Sequence, residues 1–299
     1  MSSPTQDPWH GVFPSLPTPF LPDGSVDRVG MGAVVRYAID AGAHGVVCFG
    51  LAGEVNRLSP PERVALGEVI VETCAGRVPM LLGAGAESTR TAVDLAIAFE
   101  RMGGDGIVIA APTQTRLSSG ELLEHFVSIA AATGLPVMVQ EAAIYLGVEL
   151  SPDLVLEIAE RCPNVLYLKV EAGPEETARW VAAVGHRLAV FTGDAGIHLT
   201  GCLRAGAVGN VPGVELTAPL VAIHDAFAAG DTARAEVALH ALLPYLVFAL
   251  QGIDHYNACA KAALARLGVI ANPDLRAPAP GLSSAGRTIV HERLSGLGL

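Results

Sequence analysis

A short apolar run, then Gly or Pro, then a longer stretch with helical spacing: this unit recurs along most of the chain and constrains its fold more than any other feature. The runs are Gly11–Leu16, Gly45–Gly50, Pro79–Gly83, Gly106–Ala111, Pro136–Gln140, Val165–Val170, Leu188–Thr192 and Gly206–Val211, eight in all. Most are rich in Val, Ile, Leu, Met or Phe without strict alternation, the pattern of parallel strands covered on both faces. Helix starts fall between them. Ser59-Pro60-Pro61-Glu62 reads as an N-cap followed by Pro in the first turn, and Ser88, Ser118, Ser151 and Pro174 open further helices. Ala41-Gly42, Ala75-Gly76 and Ala205-Gly206 read as helix ends. Eight strand–helix units predict an α/β fold, a (β/α)8 TIM barrel over residues 10–232. The alternative is an open doubly wound sheet, but no strand ends in a G-x-G-x-x-G turn. Gly83-Ala84-Gly85 starts like one, but Glu87 follows near the place where the third Gly is needed.

The pattern changes near residue 232. Thr232–Gln251 and Tyr256–Leu267 read as helices, Pro273–Pro280 is Pro-rich, and no further strand is expected. Residues 233–299 are therefore a C-terminal helical appendage, and 1–9 a flexible tail.

Composition excludes several classes. The chain is 51% hydrophobic and 16% charged, with mean hydropathy +0.44, which rules out disorder and suggests surface buried in a homo-oligomer. No apolar run approaches the roughly 18–20 residues of a membrane helix. A net charge of −11 argues against nucleic acid. Cys48, Cys74, Cys162, Cys202 and Cys259 are odd in number and lack CxxC spacing, which reads as reduced core thiols. The polar N-terminus has no secretory h-region, so a cytoplasmic protein is expected.

In such a barrel the chemistry lies at the C-terminal ends of the strands. One tip stands out. Lysine occurs only at Lys169 and Lys261, and Lys169 ends the run Val165-Leu166-Tyr167-Leu168-Lys169. Burying a lysine costs several kcal/mol unless it is paired or neutralised. The usual outcome is a lowered pKa and a nucleophilic amine able to form a Schiff base. Position alone leaves open a second role, an ion pair with Glu171 or Asp194 that holds the barrel mouth. Lys261 lies in a helical stretch and is expected to be a surface charge. The histidines show neither HxH nor HExxH spacing and the tips carry none, so no metal site is expected.

Nearly the whole chain resembles the dihydrodipicolinate synthase / N-acetylneuraminate lyase family of Schiff-base lyases. The likeness rests on Thr18-Pro19-Phe20 with Asp23–Asp27, on Gly50-Leu51-Ala52-Gly53-Glu54, on Gly147–Pro152, on Lys169 and on Gly193-Asp194. It implies a homotetramer or dimer, no cofactor, and a 2-oxo acid bound as an imine at Lys169. It also implies a carboxylate site on the backbone of Leu51 and Ala52, with Asp194, Asn210 and Val211 beside the substrate. Departures are as informative. Gln140 replaces the family's proton-shuttling Tyr, Leu51 and Ala52 its hydroxyl pair, Thr113 and Gln114 its paired Tyr, and Tyr145 its carboxylate-binding Arg. Dihydrodipicolinate synthesis is therefore not expected. Gln140-Glu141, Lys169-Val170-Glu171 and Ala260–Ile270 are more similar to 2-keto-3-deoxy-sugar-acid dehydratases. The implied activity is a metal-independent lyase, dehydratase or aldolase. Glu141, Glu171 and Tyr145 are the ionisable candidates for acid/base work, since Gln140 cannot supply a proton. Glu54 is expected to brace loops. The alternative is an idle homologue that binds a 2-oxo acid without turnover.

Overall fold

The computed structural model describes residues 9–299. All strands are parallel and short: β1 (Gly11–Val12), β2 (Ser15–Leu16), β3 (Val46–Cys48), β4 (Met80–Gly83), β5 (Gly106–Ala110), β6 (Val137–Glu141), β7 (Val165–Val170), β8 (Ala189–Thr192) and β9 (Gly209–Asn210). The order around the sheet is β1-β9-β8-β7-β6-β5-β4-β3-β2. Its two ends, β1 and β2, are neighbouring pieces of one extended stretch. Phe13 N–H donates to Asn210 O (2.8 Å), Ser15 N–H to Pro212 O (2.7 Å) and Val47 N–H to Pro14 O (3.0 Å). The sheet curls until the first expected strand meets both the second and the last. That strand is split at Phe13-Pro14, where the proline has no N–H to give a ladder.

Each strand from β2 onward is followed by helix, on the outer face except for the short helix Ala143–Leu146, which stands at the mouth. The helices are α1 (Arg28–Asp40), α2 (Pro60–Cys74), α3 (Thr89–Arg101), α4 (Ser119–Ala130), the short α5 (Ala143–Leu146), α6 (Pro152–Arg161), α7 (Pro174–Val184), α8 (Leu199–Arg204) and α9 (Thr217–Ala228). Ser59 and Ser118 cap α2 and α4 in full capping boxes with Glu62 and Glu121, and Ser88 and Ser151 cap α3 and α6. Ala41, Ala75 and Ala205 are C-caps, each followed by a glycine of positive φ.

The strand period of two sorts the side chains into layers. Phe13, Val47, Leu81, Val108, Met138, Tyr167, Phe191 and Val211, one from each rung of the curled sheet, form a closed apolar cluster inside it. Two residues further along seven of the eight rungs come Ser15, Gly83, Ala110, Gln140, Lys169, Gly193 and Gly213, while on the eighth Phe49 packs into the outer core. Five of these seven are Gly, Ala or Ser. Small residues here leave space directly above an aromatic and aliphatic floor, and Gln140 and Lys169 stand in that space.

The C-terminal helices α10 (Thr232–Ala249), α11 (Ile253–Arg266) and α12 (Ser284–Gly296) share a second apolar cluster with α8 and α9. Two expectations need correction. Trp9 was assigned to a flexible tail. It stacks on Tyr167 at 5.0 Å between ring centroids and donates its N–H to the Tyr167 hydroxyl, sealing the floor from below. The rest of the expected tail, residues 1–8, lies outside the described residues. Lys261 was expected at the surface and is fully buried. Its Nζ pairs with Glu54 Oε1, donates to Asp274 O at 3.1 Å and lies 4.3 Å from the Phe20 ring centroid. Glu54 does brace loops: its Oε2 accepts the Arg276 N–H, and Arg276 in turn grips Glu62. This network ties α11 and the segment after it to the loop following β3.

Among the described residues no helix is long and apolar enough to cross a membrane.

Candidate active site

A cleft of about 590 Å³, counted to its open mouth, sits above the floor at the C-terminal ends of the strands. Lys169 enters it from β7. Tyr167, Lys169 and Glu171 share the inner face because they alternate with Leu168 and Val170, which pack outward in the shell core. Lys169 Nζ lies 2.5 Å from Glu171 Oε1, and the two side chains are only 10% and 6% exposed. Glu171 has further partners. Gln140 Nε2 donates to Oε1 at 3.3 Å, and the Asp194 N–H donates to Oε2 at 2.5 Å. Gln140 is the register partner of Lys169 on the adjacent strand. The buried Lys169 amine is thus matched by one carboxylate, itself held by an amide and a backbone N–H.

The Asp194 turn is strained. Asp194 and Ala195 both adopt left-handed φ (51° and 52°), costing of order 1–3 kcal/mol each. The Asp194 N–H bond to Glu171 offsets part of that cost and fixes where the Asp194 side chain points. Asp194 Oδ1 accepts the Tyr145 hydroxyl at 2.9 Å. Burial, then the Asp194 and Glu171 carboxylates, push the Tyr145 phenol far above its usual pKa, so it stays protonated and acts as a donor.

Leu51 and Ala52 line the opposite side on the turn after Gly50. Asn257 Nδ2, reaching in from α11, donates to Leu51 O at 3.1 Å and fixes that peptide plane. Val211 also lines the cleft, with Ser15, Gly213, Ile253 and Tyr256.

Two of the expected residues are not in the cleft. Glu141 alternates with Gln140 and so turns away from it. Its Oε1 accepts the Ala143 N–H at 3.0 Å, and burial raises its pKa. Asn210 is fully buried beneath the Asp194 turn, donating to Thr192 O and Gly193 O. It supports the turn. Thr113 and Gln114 are drawn off by Glu87, which accepts both backbone N–H groups. Tyr256 was missed in the sequence. A lone aromatic side chain early in an alanine-rich helix, Ala258 to Ala265, was the available signal.

Among the described residues, one group of three or more His, Cys, Asp or Glu could gather around a metal ion: His44, His224 and Asp225. It contains no residue of the cleft and lies at the opposite end of the strands, where Val12 N–H donates to His44 Nδ1.

Gly193 tests the site's geometry. Its φ of −113° and ψ of −123° lie outside the regions most residues adopt, and a Cβ there would lie 1.9 Å from Glu171 Oε2. Gly193→Ala should push Glu171 off the Asp194 N–H, a charge-assisted bond worth about 1.5–3 kcal/mol. Thermal denaturation should show a loss of that order. Unchanged stability and an unmoved Glu171 in a crystal structure would refute the contact.

The Dihydrodipicolinate synthetase family pattern matches residues 8–297. The chain is 34% identical to 4-hydroxy-tetrahydrodipicolinate synthase 2 of Streptomyces coelicolor, over 94% of this chain and 93% of that one. It is 33% identical to a DapA-like lyase of Halobacterium salinarum, over 97% and 94% of the two chains. Among solved structures it is similar to YagE of E. coli K12 in complex with pyruvate, with TM-score 0.91, 26% identity and coverage of 97% and 99%. On the length of the match and the identity to these relatives, the chain belongs to the dihydrodipicolinate synthetase family.

Proposed function

We propose that the chain is a metal-independent class I lyase that binds a small 2-keto-3-deoxy acid as an imine on Lys169, within a closed (β/α)8 barrel bearing a C-terminal helical appendage. One observation carries the reading: a buried lysine at the floor of a cleft, 2.5 Å from a single carboxylate. Glu171 takes the proton that leaves Lys169 when the amine attacks the 2-oxo carbon. The resulting iminium is an electron sink, so it acidifies C3 and gives an enamine without a cofactor. Loss of water from C4, or cleavage of C3–C4, completes the reaction. The backbone N–H groups of Leu51 and Ala52 receive the substrate carboxylate, and Asp194 with Tyr145 faces the hydroxylated tail.

The absent hydroxyl relay separates this site from dihydrodipicolinate synthesis. Exposed Val29, Ile144, Val237 and Val247 support a homo-oligomer, dimer or tetramer. Five free, buried cysteines support a reducing, cytoplasmic setting.

Incubation with pyruvate and borohydride should add one reduced adduct per chain, and a panel of 2-keto-3-deoxy acids should then reveal turnover by release of water or of an aldehyde. No adduct with any 2-oxo acid would end this reading. An adduct without turnover on any of them would make the chain an idle homologue.

A further inference from the structure

Tyr256 and Glu215 stand on the wall of the cleft that α11 closes, and no step above uses them. Tyr256 lines the same cleft as Lys169. Glu215 lies directly behind it, in the turn after β9, and is fully buried. Gly213 shows how close the two side chains come. A Cβ on Gly213 would lie 2.0 Å from the Tyr256 hydroxyl and 2.5 Å from Glu215 Oε2. Glu215 Oε1 accepts the Tyr245 hydroxyl at 3.2 Å, and the Tyr256 hydroxyl also bonds to this carboxyl from the cleft side. A buried carboxyl needs such donors, and Tyr256 is the one that links Glu215 to the cleft.

Among the described residues, no cation acts on Glu215. The titratable groups facing it are Tyr37 from α1, Tyr245 from α10, and Tyr256 and Cys259 from α11. All are neutral at ordinary pH. Burial accordingly raises the carboxyl's pKa. A carboxyl held neutral more easily than usual can hold a proton at a higher pH than an ordinary carboxylate, as a proton-transfer group requires.

We propose that Tyr256 and Glu215 form the proton relay of this site, taking the place of the family's missing hydroxyl and phenol groups. The proposal rests on the Schiff-base reading of Lys169. With pyruvate bound as the iminium, the C3–H bond breaks and its electron pair forms C2=C3. The C2=N π pair moves onto nitrogen and neutralises it. The C3 proton passes to the Tyr256 oxygen as the phenol's own proton passes to Glu215. Tyr256 never carries a full charge, in keeping with a phenol whose pKa is raised by burial and by Glu215. In the forward reaction the same proton, returned through Tyr256, leaves with the C4 hydroxyl as water. Tyr256 is the catalytic residue and Glu215 the group behind it.

Exchange of pyruvate methyl protons in D2O, followed by NMR, reads this step without knowledge of the native substrate. At saturating pyruvate, Tyr256→Phe should form the borohydride-reducible adduct in parental yield but exchange about 10²–10⁴-fold more slowly. In the parent the exchange rate should rise with pH along a limb above the ordinary carboxylate range, because the relay needs the Glu215 carboxylate as acceptor. Glu215→Gln should flatten that limb and keep the adduct. Exchange within threefold of the parent in Tyr256→Phe, or a limb that survives in Glu215→Gln, overturns the relay. If either variant fails to fold, a flat parental profile overturns it and a rising limb supports it. Failure of the parent to form an adduct defeats the Schiff-base reading itself, a different result from an adduct that forms and does not depend on Tyr256.

Discussion

Lys169→Arg is expected to abolish the borohydride-stable pyruvate adduct completely. A guanidinium keeps its proton at any working pH, so it cannot attack a carbonyl. The fold should tolerate the change, since arginine can still offer a cation to Glu171. Loss of the adduct would therefore report loss of the nucleophile, and circular dichroism with an unchanged melting curve would check that. Only one other lysine side chain exists, Lys261, and it is fully buried and paired with Glu54. Its side chain presents no exposed surface to pyruvate while the chain is folded. Mass mapping should accordingly place the parental adduct on Lys169 alone. An adduct of equal yield in Lys169→Arg, or one mapped to Lys261, would show that the chemistry had been assigned to the wrong amine.

Much of this architecture was legible because strands in a curled parallel sheet leave a strong mark. A strand covered on both faces reads as a continuous apolar run, and all eight expected runs contain strand within a residue or three of their expected limits. Caps were legible for a similar reason: Ser before Pro or Glu satisfies helix N–H groups locally, with no tertiary information needed. What failed was parity and distance. Glu141 is one residue from Gln140, and adjacent strand residues face opposite sides, so proximity in sequence to a cleft residue placed it on the wrong face. Asn210 stands at a strand tip, but its amide is spent on the carbonyls of Thr192 and Gly193.

Distance accounts for the rest. Tyr256 reaches the cleft from α11, well beyond the last strand, and only the folding of that helix over the mouth brings it near Lys169. Lys261 was misplaced by the usual preference of lysine for water. Its neighbours Ala258, Cys259, Ala260, Ala262, Ala263 and Leu264 are all buried too, so that stretch of helix has no solvent face to offer it. A helix without a polar face has to be covered on all sides.

Glu54→Gln is expected to be the most destabilising single substitution near the site. Both Glu54 and Lys261 are fully buried, and the loss of one partner leaves a buried charge without compensation. Breaking such a pair costs about 3–5 kcal/mol. In a domain of this size that corresponds to a fall in Tm of roughly 6–20 °C. Burial already holds the Lys261 pKa below its ordinary 10.5, and losing Glu54 removes the charge that opposes this. Over the pH window between that lowered value and 10.5, the unfolded chain binds a proton that the folded chain does not. Stability of Glu54→Gln should then rise with pH across the window, and its deficit should narrow. The double variant Glu54→Gln with Lys261→Met removes the stranded charge and fills its volume with an apolar side chain over Phe20. It should recover most of the lost stability, because exchanging a buried ion pair for apolar packing is often neutral. A single variant within about 1 kcal/mol of the parent would show that Lys261 finds another partner, Asp274 O being the nearest. A double variant no better than the single one would show instead that Glu54 acts chiefly through Arg276, which reaches it from the segment after α11, and through Arg57 in its own loop.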